Sequence, residues 1–345
     1  MTQSPPLEHL EALVQRVSGR ADPLAAEPMP GGASTRQFFR VALPQGGSAI
    51  GMYVPDATRS DEIDKGGHAA HRWPFLEVQE LLEGRGIRVP RLLGEACEHG
   101  FILVEDLGDD TLARYLELNP SERTEMYRAA VRDLARAQLA LEPLPADSVV
   151  RTRAFDEDLL RWEVDHFREW ALDARNVPLT DADRETFARA AEHLAHTIAS
   201  WPRRFVHRDY QSRNLMVRGS PPELVWIDFQ DALLGPRVYD LVALLSDSYQ
   251  TFDRAFIEDR LDEYAEISGL GADERRLVGR EFDIVTVQRK LKDAGRFVFI
   301  DRVRKNPDFL QFVDPTIGKV RAALARLEDD PVLVELSRLL RRVFD

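Results

Sequence analysis

The apolar positions change their period partway along the chain. Leu7, Leu10, Val14 and Val17 recur at helical spacing, so residues 7–17 are expected to form a short amphipathic helix. Pro23, Pro28, Pro30, Gly31 and Gly32 then break helix and introduce extended chain. Segments 38–43 and 48–54 read as two strands joined by the turn Pro44-Gln45-Gly46-Gly47. The polar stretch 56–67 reads as a surface loop, and 75–83 as a helix stopped by Gly84 and Gly86. Segments 89–93 and 101–104 suggest two further strands. Beyond Asp106 the pattern turns helical, over 112–118, 122–141, 156–172 and 181–200, with charged outer faces. Two short apolar runs, 204–206 and 224–227, interrupt it and predict a strand–loop–strand hairpin; 238–345 is helical again. A small strand-rich part up to about residue 106 and a larger helical part over 107–345 are therefore expected, an α+β arrangement.

Composition narrows the function classes. The chain has 345 residues, with 46 Lys and Arg against 59 Asp and Glu, a formal charge of −13. That balance argues against duplex nucleic acid or an anionic membrane as the main partner, since both recruit positive charge. Cys97 is the single cysteine, which excludes an intramolecular disulfide and a cysteine-rich zinc site. With neither a basic–apolar leader nor a long uninterrupted apolar run, a cytoplasmic protein is expected.

The chemistry concentrates in one stretch. His207-Arg208-Asp209-Tyr210-Gln211-Ser212-Arg213-Asn214 fits H-R-D-x-x-x-x-N, and Asp228 follows fourteen residues after Asn214 inside an apolar run. Phosphoryl transfer needs an acceptor oxygen held in line and phosphate charge neutralised by Mg²⁺. A carboxylate at Asp209 can accept the acceptor hydroxyl's hydrogen bond and its proton. The amide oxygen of Asn214 and the carboxylate of Asp228 are hard donors suited to Mg²⁺.

With these residues in place, the chain resembles the aminoglycoside phosphotransferase/choline kinase branch of the protein-kinase-like fold. Within that branch it is similar to the bacterial anomeric N-acetylmuramate/N-acetylglucosamine kinases. Residues 31–41 (GGASTRQFFRV), 101–109 (FILVEDLGD), 205–216 with 226–241, and 288–297 (QRKLKDAGRF) carry the resemblance. It implies a bilobal fold, with a nucleotide-binding lobe over 1–106 and a catalytic and acceptor-binding lobe over 107–345. It also implies ATP and Mg²⁺ as cofactors, Asp209 as base, Asn214 and Asp228 as metal ligands, and adenine held at Glu105, Asp106 and Leu107. The reaction implied is phosphorylation of the C1 hydroxyl of an N-acetylated amino sugar in cell-wall recycling, by a monomer. Phosphorylation of an aminoglycoside, choline or an amino acid is the alternative within the superfamily; a non-catalytic nucleotide-binding module is the alternative outside it. Asp240 is expected to brace the catalytic loop.

One departure stands out. The third strand reads Ile50-Gly51-Met52-Tyr53-Val54, without the phosphate-binding Lys that most kinases have there, and Phe75 stands near the position of its Glu partner. An apolar contact is expected there, leaving Ser34, Arg36 and Arg40 to meet the nucleotide's phosphates, Arg through its planar fork. For the acceptor, Glu163, Phe167 and Trp170 fall at i, i+4 and i+7 on one helix face, which suits either a sugar site or a core stripe. Arg289 and Lys292 could meet an acceptor carboxylate or form surface ion pairs, and Gln211 in the motif loop is a further acceptor contact.

Overall fold

The structure, a computed structural model, describes residues 5–30, 36–55 and 73–344. Ser34 and the expected loop 56–67 lie outside them. In chain order the elements are α1 (Leu7–Ser18), β1 (Ala26–Pro28), β2 (Gln37–Ala42), β3 (Ser48–Tyr53), α2 (Pro74–Gly84), β4 (Leu92–Ala96), β5 (Phe101–Glu105) and α3 (Leu112–Leu118). Then follow α4 (Arg123–Ala140), α5 (Glu157–Phe167), α6 (Asp181–Ala199), β6 (Arg203–Val206), β7 (Leu215–Arg218), β8 (Glu223–Trp226) and β9 (Leu233–Pro236). The chain ends in α7 (Tyr239–Leu245), α8 (Arg254–Ile267), α9 (Ala272–Arg304), α10 (Val313–Leu324) and α11 (Pro331–Phe344). No helix among the described residues is long and apolar enough to cross a membrane.

Two compact units result, and neither is a continuous segment. Met1–Pro120 joins Arg213–Asp231 in one; Ser121–Ser212 joins Ala232–Asp345 in the other. A cut at residue 106 thus differs from the structure in two places. Residues 107–120 stay with the first unit, where they meet the β7–β8 pair: Val217 donates its N–H to the Asp110 carbonyl at 2.8 Å and Leu107 packs with Met216 and Val225.

The first unit is built on a five-stranded antiparallel sheet in the order β1-β2-β3-β5-β4. Strand alternation splits its residues between two cores. Phe39, Val41, Ala49, Tyr53, Phe101 and Leu103 face α1 through Leu10, Leu13 and Val14. Met52, Ile102 and Val104 pack on the other side with Leu76, Phe38, Ile50 and Phe75. Gly51 has no side chain because α1 lies so close: a Cβ there would stand 2.8 Å from a Leu10 methyl. The fourth strand begins at Leu92 instead of Val89, since Pro90 lacks the N–H that a ladder requires.

The second unit is helical. Its spine is the 33-residue α9, which packs on α5, α7, α8 and α10. Gly295 marks the closest approach to α5, where a Cβ would meet the His166 carbonyl oxygen at 2.7 Å and the Phe167 Cα at 2.8 Å. Backbone cannot swing aside as a side chain can. Gly295→Ala is expected to lower unfolding stability by about 1–3 kcal/mol, as overpacking does. Denaturant titration measures this; an unchanged midpoint would mean that the helices are not in such contact.

Candidate active site

The motif loop follows β6 in the second unit, and its strands pair differently from the expected hairpin. β6 pairs with β9, Val206 opposite Leu233, while β7 pairs with β8, Leu215 opposite Trp226. The runs 204–206 and 224–227 are therefore not partners. Their true partners are four-residue strands, too short to show a period of their own. α4 ties β6 to the end of β9, because Gln138 Nε2 donates to the carbonyls of Phe205 (3.0 Å) and Arg237 (3.2 Å).

Within this unit the loop is clamped along its length. Asp240, on α7 and without exposed surface, accepts the backbone N–H groups of His207 (2.7 Å) and Arg208 (3.0 Å), the bracing expected of it. Burial pushes its carboxyl up to about 7 against the pull of those two donors. Ser212 Oγ donates to Asp247 at 3.0 Å at the other end of the segment. Arg208 itself sits at φ +79°, a left-handed conformation that costs a long side chain about 1–3 kcal/mol and persists only where neighbours impose it.

Asp209 keeps about a third of its side-chain surface exposed (36%). Burial of the rest raises its pKa, but the charges of Lys292, Arg289 and Arg208 more than offset this and bring it to about 2. It is therefore a carboxylate at any ordinary pH. Arg289 is turned onto the loop itself. Its Nη2 donates to Asp209 Oδ1 at 3.1 Å and its Nη1 to the Arg208 carbonyl at 2.7 Å. Lys292 lies 3.6 Å from Asp293, its side chain mostly covered.

In the first unit, Asn214 and Asp228 leave one end of the β7–β8 ladder. Leu215 faces Trp226, and the Asn214 carbonyl accepts the Ile227 N–H at 3.0 Å. Asp228 has φ +64°, a conformation tolerated better by Asp than by most residues. Its carboxylate accepts from Arg36 Nη1 (2.9 Å) and Gln230 Nε2 (3.0 Å), and Arg36 also reaches Asp231 at 3.6 Å. An amide and a carboxylate carried at the same end of one ladder are donor types that fit Mg²⁺, which takes one or two protein oxygens and fills its shell with water and phosphate.

Arg40 has a different fate. It is bound by Asp106 (2.8 Å) and Asp109 (2.7 Å), so its charge is already matched by two carboxylates. The adjacent segment is equally fixed: Glu105 pairs with Arg88 and Arg91, and Asp106 takes the Ser48 hydroxyl and the Gly108 N–H. Leu107 packs with Met216, Val225 and Ile227. Met52 and Phe75 share one apolar core, and the Phe75 ring lies 4.9 Å from that of Phe229. A hydrocarbon contact thus stands where most kinases place an ion pair.

The acceptor expectations on α5 need correction as well. Phe167 has no exposed surface and packs against Phe187 and Phe344, so its ring is core. Glu163 is equally covered; it accepts from Gln288 Nε2 (2.9 Å) and pairs with Arg208 Nη2 (3.3 Å). Trp170 remains half-buried, edge-on to Phe299 at 5.0 Å. A π-type turn over Arg168–Leu172 breaks the i+7 spacing that had placed it beside Glu163. Gln211 is partly exposed, with its N–H on the Asp209 carbonyl at 2.9 Å. Gln288 and Ser212 were missed as loop anchors, because buried polar residues carry no distinguishing signal in a sequence.

The antiparallel sheet, the helical second unit and the clamped H-R-D loop define a kinase-like phosphotransferase. The chain belongs to the phosphotransferase enzyme family, which it matches over residues 25–277. It is 34% identical to the N-acetylmuramate/N-acetylglucosamine kinase of Pseudomonas aeruginosa, covering 96% of this chain and 92% of that protein. The protein of the same name from Neisseria meningitidis is 31% identical, over 88% of each. Among solved structures, choline kinase from Cryptosporidium parvum aligns with a TM-score of 0.60 at 12% identity, over 97% of this chain and 100% of that one. A choline/ethanolamine kinase family protein from Mesorhizobium loti gives 0.58 at 16%, over 99% and 100%. At such identities these two establish the fold alone.

Proposed function

We propose that this protein is an ATP-dependent sugar kinase that phosphorylates the anomeric C1 hydroxyl of N-acetylmuramate or N-acetylglucosamine, a cytoplasmic step of cell-wall sugar recycling. The observation that carries the reading is 34% identity, along nearly the whole chain, to a kinase of that name. The retained Asp209, Asn214 and Asp228 support catalysis over a passive nucleotide-binding role.

In this reading Asp209 orients the C1 hydroxyl and takes its proton as the oxygen bonds to the γ-phosphorus, with ADP leaving. A carboxylate of pKa about 2 is a weak base. It suffices because the transition state is loose, and the proton is surrendered late. Asn214 and Asp228 would hold Mg²⁺, whose contribution is to neutralise phosphate charge. Arg36, already on Asp228, is the first-unit cation assigned to the phosphates. The segment from Glu105 to Leu107 is assigned to adenine through its backbone.

The test is incubation with Mg-ATP and separate acceptors: N-acetylmuramate, N-acetylglucosamine, an aminoglycoside and choline. Phosphate is expected on the amino sugars, with loss of the product's reducing end, which only C1 phosphorylation causes. A product that still reduces would move the reaction to another hydroxyl. Transfer to the aminoglycoside or choline alone would overturn the acceptor class.

A further inference from the structure

Arg208 of the H-R-D motif is held by Glu163 at 3.3 Å, both side chains almost wholly buried. Glu163 also accepts from Gln288 and approaches the Tyr239 hydroxyl at 3.5 Å. The Arg289 guanidinium lies over the ring of that same tyrosine, 4.7 Å from its centre. From there it reaches the loop twice, at the Arg208 carbonyl and at Asp209 Oδ1. Arg289 is 3% exposed, and a planar fork donating to two acceptors from a stacked, buried position has little rotational freedom to lose.

We propose that Arg289 is the positioning residue of the phosphotransfer base, clamping Asp209 and its neighbour's carbonyl in one orientation, and that the Glu163–Tyr239 pair holds the clamp. This rests on the reading of Asp209 as base and replaces the expectation that Arg289 meets an acceptor carboxylate. Glu163 supplies to Arg208 a permanent anion of the kind that a regulatory phosphate would supply reversibly. The loop is consequently set without modification. The charged groups facing Asp209 are Arg289 and Lys292 from α9, Arg208 from the loop and Asp240 from α7.

Arg289→Ala removes both donors, and Arg289→Lys keeps the charge without the fork. The alanine variant is expected to lower kcat by 10–100-fold while KM for ATP and for the sugar stay within about twofold, the signature of an interaction made in the transition state. Lysine should leave kcat low. Carboxyl-labelled aspartate NMR, with Asp209→Asn identifying the Asp209 resonance, gives a readout independent of turnover. Its titration should move upward in Arg289→Ala and return toward native in Arg289→Lys. A raised sugar KM with native kcat, or an unmoved Asp209 titration, overturns the clamp. If the native protein phosphorylates none of the sugars yet the titration moves, the clamp stands and the acceptor assignment falls. Should alanine prevent folding, judged by circular dichroism, Arg289→Lys and Arg289→Gln carry the same comparison.

Discussion

Asp209→Asn is expected to lower kcat by about 10³-fold, within the range that removing a general base produces. That is about 4 kcal/mol of transition-state stabilisation. The amide keeps the shape of the carboxylate and can still accept from Arg289 at the same oxygen, so the loop should stay clamped. What disappears is the ability to take a proton from the acceptor. KM for ATP should change by no more than about twofold, because the lost interaction belongs to the transition state. The pH dependence has a definite sign. With its pKa depressed from 3.8 to about 2, Asp209 stays ionised as pH falls toward 4 and should contribute no acid limb to kcat/KM in that range. By linkage its ionised form favours the folded state above the ordinary carboxylate range, an advantage lost as pH falls through the depressed value. Steady-state kinetics of the variant decide the matter: native kcat would remove Asp209 from the reaction.

The second large effect is expected at Asp228. Asp228→Asn should reduce kcat/KM by about 10³-fold, since a metal ligand supplies several kcal/mol of charge stabilisation. It should also shift the Mg²⁺ concentration for half-maximal rate upward, which Asp209→Asn should not do. Asparagine is the right probe. It tolerates the left-handed backbone at φ +64° and still offers Arg36 an oxygen, so neither strain nor a lost partner confuses the result. An unchanged Mg²⁺ midpoint would take Asp228 out of metal binding.

Much of the first unit was legible without coordinates. The near-continuous apolar runs at Ala49–Tyr53 and Phe101–Val104 read as strands covered on both faces, and the structure divides them between two cores. Two helices were then needed to cover them, and α1 and α2 were both visible. The apolar contact between the third strand and Phe75 was legible for the same reason: apolar residues at core positions have one destination. The π-type turn after Phe167 was not legible, since residues 156–172 carry one unbroken helical pattern.

The residue order by itself determined the membership in a phosphotransferase family, the loop from His207 to Asn214 and the carboxylate at Asp228, since spacing along a chain survives folding unchanged. Only the tertiary structure decided the partners of the charges. Arg40 went to Asp106 and Asp109, Arg289 to Asp209, and Glu163 into a buried pair with Arg208. A charged residue has the same letter whether water or another ion solvates it. The choice between those states depends on groups brought within a few ångströms from distant positions, and no local pattern records it.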